Sequence, residues 1–210
     1  EPDKLLEIVY IDDVIKNFLV LIDKDYRDKK TIFYRILETY SICIRDLADR
    51  IKSFEQMRTT LLTQNVGSGL SRALYATYVS FLPQEKFYYS LESNIDERGN
   101  FVEFIKTLNS GQISFFTSKP GKIRGGHYHH TKSEKFLVLK GQAKFRFKNI
   151  ISDDYFDVDS SDSNPVVVET IPGWAHDITN VGSEDMIVML WANENFDESK
   201  PDTYKYNLNK

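Results

Sequence analysis

GKIRGGHYHHTKSEKFLVLKG (121–141) holds three of the four histidines of this chain. His127 and His129 stand two residues apart, Glu134 follows five residues later, and a glycine closes the stretch at each end. The remaining histidine, His176, sits in PGWAHDITN (172–180). Side chains alternate across a strand, so His127 and His129 are expected on one face and His130 and Tyr128 on the other. Two imidazoles so spaced, a carboxylate across a short turn and a third imidazole further on form a metal-site constellation. Three nitrogens and one oxygen suit Zn, Mn, Fe or Ni, and residue type alone does not choose among them. With an open coordination position such an ion polarises a substrate carbonyl; with a closed one it is structural.

Around this stretch the chain has two characters, changing near Pro83. Before it, Val14, Ile15, Phe18, Leu19 and Ile22 fall on one helical face, with Asp12 as the expected N-cap. Ile44, Leu47, Ala48, Ile51 and Phe54 form a second stripe, and a third helix is expected over 70–81. After Pro83 come short β-type runs at 101–105, 113–118, 136–139, 143–147, 166–170 and 186–191, punctuated by glycine and proline. Many short strands so spaced predict a sandwich or barrel. The acidic, serine-rich stretch 152–164 is expected to be a solvated loop.

The bulk numbers exclude several classes. The 210 residues suit one large domain or two small ones, and 14 Phe with 12 Tyr can fill a core. A formal charge of −4 gives no electrostatic reason to expect nucleic acid or an anionic membrane as partner. No apolar run approaches the length of a membrane span, and no signal segment is visible. Cys43 is alone, which makes a reducing cytoplasm the natural compartment. The first residue is Glu1 rather than Met, from which we expect sequence upstream.

Gly121, His127, His129, Glu134 and Gly141 match the first cupin motif in every position, and Pro172, Gly173, His176 and Asn180 resemble the second. The second lacks its leading glycine and one residue between proline and glycine. The resemblance implies a cupin jelly-roll barrel and makes His127, His129, Glu134 and His176 the ligand set. DERGNFVE (96–103) and RGGH (124–127) further resemble the nucleotide-sugar 3,5-epimerase group of cupins. That likeness implies diphosphate contacts at Arg98 and Arg124 and a proton-abstracting role for His127. Guanidinium forks suit phosphate oxygens and imidazole suits proton transfer near neutral pH. Those epimerases lack the full metal set, and a ligated His127 has no lone pair left for a proton, so the two roles compete. Lys119 is a candidate donor to substrate oxygen, and a Tyr or Lys lining the barrel is expected as acid partner. Tyr128 faces away.

Over nearly its whole length the chain is similar to the C-terminal part of CapF-type bifunctional enzymes of capsule and O-antigen sugar-nucleotide synthesis. ALYATYVSFLP (73–83), GQISFFTSKPG (111–121), HYHHTKSEKFLVLKG (127–141) and WANENFDESKPDTY (191–204) carry that likeness. VYIDDV (9–14) resembles a late strand-to-helix segment of extended short-chain reductases. The expected fold class is α+β: a helical reductase-lobe remnant over 1–83, then a mainly β cupin barrel over 84–210. The implied activity is C3 epimerisation of a UDP-4-keto-6-deoxy-N-acetylhexosamine on the route to UDP-N-acetyl-L-fucosamine, with zinc as the expected metal. NADPH would serve only the reductase half, since no glycine-rich dinucleotide fingerprint follows a strand here. Tyr26 and Lys30 nominally match the reductase Tyr-x3-Lys pair but fall after the YIDDV segment in a charged linker. A homodimer through the strand at 96–103 is expected. Two alternatives stay open: another metal-dependent cupin enzyme (a dioxygenase or small-sugar isomerase), or a non-catalytic sugar-binding module with structural zinc.

Overall fold

The computed structural model describes residues 1–23 and 33–209, and the Tyr26–Lys30 pair lies outside them. The chain divides into two compact units, Glu1–Met57 with Gln64–Phe87, and Arg58–Thr63 with Tyr88–Lys210.

Chain order begins with β1 (Leu5–Ile8), α1 (Ile11–Ile22), β2 (Tyr40–Cys43), α2 (Ile44–Thr60), β3 (Leu62–Thr63) and α3 (Gly69–Ser80). In the first unit β1 and β2 pair antiparallel, with Leu5 opposite Cys43. Helix α1 corrects the expected cap. It opens at Ile11 after an extended Tyr10, so Asp12 lies in its first turn beside Asp13. There the two carboxylates face the positive end of the helix dipole instead of bonding a free N–H. The core of this unit is small: buried Phe54 meets the rings of Tyr75 and Tyr78 at 5.3 and 5.8 Å. The α1 stripe of Ile15, Phe18, Leu19 and Ile22 is exposed.

The second unit adds β4 (Asn94–Asp96), β5 (Gly99–Thr107), β6 (Gln112–Ser118), β7 (Ile123–Tyr128) and β8 (Glu134–Lys140). It continues through β9 (Gln142–Asn149), β10 (Tyr155–Ser161), β11 (Val167–Glu169), β12 (Trp174–Asn180), β13 (Met186–Ala192) and β14 (Tyr204–Lys205). One sheet runs β10-β9-β12-β7-β14 and the other β11-β8-β13-β6-β5-β3, with β4 also on β5. Their inward residues build one core: Phe116, Phe136, Val138, Val168 and Val188 from one sheet, Phe145, Phe147 and Ile178 from the other. The fold class is α+β with a jelly-roll barrel, as the strand spacing implied. All of the expected strand stretches contain strand.

The acidic stretch 152–164 is the second correction. Residues 155–161 form β10, paired along their whole length with β9. Polar composition hid the strand because β10 is a sheet edge with little to bury. Its acidic residues answer a lysine on β9: Lys144 lies 3.6 Å from Asp157 and 3.1 Å from Asp159. Charges along an edge also discourage pairing with other chains.

Candidate metal centre

Strand pairing brings the candidate histidine ligands together. His127 on β7 stands directly opposite His176 on β12, Glu134 opens β8, and His129 follows the end of β7. One ligand atom from each of His127, His129, Glu134 and His176 lies within 4.8 Å of the others. A β-bulge sets the aim. The register between β7 and β12 shifts at His176/Asp177, where Asp177 faces Gly125 and His176 faces His127. In a regular strand Arg124 and His127, three apart, would point to opposite sides of the sheet. The extra residue, at two consecutive positive-φ glycines (Gly125 and Gly126), lets both side chains face the barrel interior.

Each buried imidazole is held by a backbone carbonyl on its far nitrogen. His129 Nδ1 meets the carbonyl oxygen of Asp202, and His176 Nδ1 lies 3.4 Å from that of Trp174. Both Nε2 atoms then face Glu134, whose Oε2 is 3.3 Å from His129 Nε2 and 3.5 Å from His176 Nε2. His176 Nε2 is buried and makes no hydrogen bond. An orphaned imidazole nitrogen aimed at a buried carboxylate and two further imidazoles fits a divalent cation. Burial, reinforced by His176, lowers the His127 pKa to about 3, which keeps its ring neutral as a ligand must be. Burial alone would raise Glu134, but the His129 and His176 imidazoles and the Lys132 ammonium hold its carboxyl well below the usual range.

A cavity of about 300 Å³ opens on this cluster, lined by His127, Glu134 and His176 and also by Arg98, Arg124 and Lys132. Arg124 is largely buried; its Nε donates to the Thr117 carbonyl at 3.1 Å and its guanidinium lies 5.1 Å from the Phe116 ring centre. Arg98 grips Asp96 through Nε at 2.9 Å and Nη2 at 2.5 Å, and that pairing holds the Asp96 carboxyl well below its ordinary value. Lys119 is not brought in: it is exposed and absent from the cavity wall, and its backbone N–H donates across to the Arg98 carbonyl at 2.8 Å. His130 and Tyr128 take the other face, where both rings pack on Tyr204 at 4.5 and 5.3 Å.

Two residues escaped the sequence reading. Lys132 Nζ reaches Glu134 Oε1 at 3.0 Å from the cavity wall. Among the described residues the wall holds no tyrosine, and Lys132 is the one there of the expected acid type. Its signal was only a lysine between two candidate ligands, indistinguishable from a loop charge. Asp202 accepts backbone N–H bonds from His130, Thr131 and Lys132 at 2.9, 2.8 and 2.8 Å. Burial opposes, but these donors hold its carboxyl well below the usual range. Seventy residues separate Asp202 from that loop, and no local pattern joins them.

The chain is similar to known proteins over nearly its whole length. A reductase of Pseudomonas aeruginosa, UDP-2-acetamido-2,6-beta-L-arabino-hexul-4-ose reductase, is 49% identical over 199 residues, 95% of this chain and 53% of that protein. The crystal structure of the capsular polysaccharide assembling protein CapF from Staphylococcus aureus is 34% identical, with a TM-score of 0.89 over 99% of this chain and 56% of the other. A CapF structure with the inhibitor 3-isopropenyl-tropolone gives 0.90 at the same identity, covering 60% of that chain. The chain thus spans a little over half the length of these relatives. Residues 94–204 match the model of the polysaccharide biosynthesis C-terminal domain, and the chain belongs to that family.

Proposed function

We propose that this chain is a sugar-nucleotide epimerase that inverts C3 of a UDP-4-keto-6-deoxy-N-acetylhexosamine in capsule or O-antigen precursor synthesis. The observation that carries this reading is the cavity that joins a four-residue ligand cluster to two arginines. The arginines suit a diphosphate, since each guanidinium offers a planar fork of donors. The C3 proton is acidified by the adjacent C4 ketone. When it leaves, its bonding pair becomes the C3–C4 π bond and the ketone pair moves onto oxygen as an enolate.

His127, His129, Glu134 and His176 would hold the cation, which we assign as zinc. Bound with a position open, it would supply Lewis-acid stabilisation of the developing oxyanion. We assign His127 to the metal rather than to proton abstraction. The remaining roles fall to other wall residues. Lys132 donates a hydrogen bond to the substrate ketone oxygen; Glu103, on the same wall, takes the C3 proton from one face of the sugar ring, and a solvent water returns a proton to C3 on the opposite face. NADPH-dependent reduction at C4 we assign to the part of the relatives outside this match.

The test is conversion of the UDP-4-keto sugar by the zinc-loaded chain, followed by proton NMR. A C3-inverted product that vanishes on chelation supports the reading. Saturable binding of the sugar with no conversion would replace it with a sugar-binding module around a structural ion.

A further inference from the structure

The tail after β13 crosses back over the ligand cluster and is tied to it at several points. Phe196 and Thr203 line the cavity, and the Phe196 N–H donates to buried Gln112 Oε1 at 2.9 Å. β14 pairs with β7, setting Tyr204 opposite Tyr128 and Lys205 opposite His127. The Tyr206 N–H donates to the Gly126 carbonyl at 2.8 Å. Between these ties sits Asp202, and it acts on the metal loop twice. Its carboxylate gathers the consecutive N–H groups of His130, Thr131 and Lys132 and the Thr131 hydroxyl, at 2.8 to 3.0 Å. Its carbonyl oxygen takes His129 Nδ1.

These contacts do separate things. The carbonyl fixes the His129 ring with Nδ1 turned to the backbone and Nε2 turned to Glu134. The carboxylate fixes the loop that spaces His129 from Glu134. Three successive N–H groups converging on one carboxylate leave that loop little freedom to drift. Groups that orient a ligand's other ring nitrogen set both its tautomer and its affinity for the ion.

We infer that Asp202 is a positioning residue of the metal centre, and that docking of the 196–206 strap and metal binding are thermodynamically coupled. The inference rests on the reading that the four-residue cluster binds a divalent cation. Coupling is reciprocal: what the docked strap adds to metal affinity, the bound metal returns as strap order.

The experiment uses the whole 210-residue chain. Zinc affinity is measured by competition with a chelating dye, and the ligand field by the visible absorption of a Co²⁺-loaded sample. Asp202→Asn keeps the size of the side chain but sets an amide against N–H donors. We expect it to weaken zinc roughly 10–100-fold and to alter the Co²⁺ spectrum. Asp197→Asn, in the same tail, disturbs only local bonds to neighbouring Ser199 and Lys200 and should bind as wild type does. Hydrogen exchange on the unmutated chain needs no variant: the Tyr206 amide should exchange more slowly once zinc is bound. Unchanged affinity in Asp202→Asn, or tail exchange indifferent to zinc in the wild type, overturns the coupling while leaving the metal site intact. A wild-type chain that takes up neither Zn²⁺ nor Co²⁺ overturns the metal reading itself, and the coupling with it.

Discussion

Lys132, proposed above as a donor to the substrate ketone, also pairs with the Glu134 carboxylate from the cavity wall, so it has both a proposed chemical role and a structural one. The roles separate on substitution. Lys132→Met should lower turnover about 10²–10³-fold, the usual cost of one lost oxyanion donor, while bound zinc stays near one per chain. Loss of zinc in that variant would make the lysine a partner of Glu134 only. At Arg98 a titration is the better probe. Arg98→Ala should let the Asp96 carboxyl rise toward about 3.9, followed by NMR of its carboxyl carbon. The folded value is depressed, so any stability from the pair is present above the unfolded pKa and fades as pH falls through the folded one. Asp96 is exposed, and solvent screening keeps that contribution small. The clustering of His127, His129, Glu134 and His176 was legible because imidazoles are scarce here and a metal site would fix their spacing. Asp202 was not, because a carboxylate that caps backbone N–H groups seventy residues away leaves no periodic trace.

Among elements, β7 decides whether the site exists. The strand was foreseeable from its neighbours, and its double glycine read only as part of a motif. Its meaning is mechanical: the bulge turns Arg124 and His127 to the same side. Gly125 also has φ +94°, and a Cβ there would lie 2.9 Å from both the Asp177 Cα and the His176 carbonyl oxygen, with only backbone to displace. Gly125→Ala should therefore cost about 1–3 kcal/mol in urea unfolding and push β12 away, lowering bound zinc as well. Full zinc occupancy with unchanged stability would mean the bulge is not what aims His127. β10 shows the opposite failure of pattern. Its aspartates look like loop, yet they pair with Lys144 on a sheet edge, where alternation carries no apolar signal.

At the scale of the molecule, the sequence separated a helical part from a barrel because the apolar period changes near Pro83. It missed that 58–63 belongs with the barrel, where β3 runs parallel to β5 over two residues, too short a run to carry a pattern. We propose a homodimer through the strand at 96–103, consistent with exposed Ile95 and Phe104 on β4 and β5. Sedimentation should give twice the mass of 24.4 kDa, and a monomer at micromolar concentration would reject it. The central claim is that this chain alone breaks the C3–H bond. Zinc-loaded protein is incubated with the UDP-4-keto-6-deoxy-N-acetylhexosamine in D₂O, without NADPH, and deuterium at C3 is followed by NMR and mass spectrometry. We expect deuterium to enter at C3, and to stop entering when the zinc is removed. A substrate that stays fully protonated at C3 beside a zinc-occupied, folded chain would contradict the epimerase assignment.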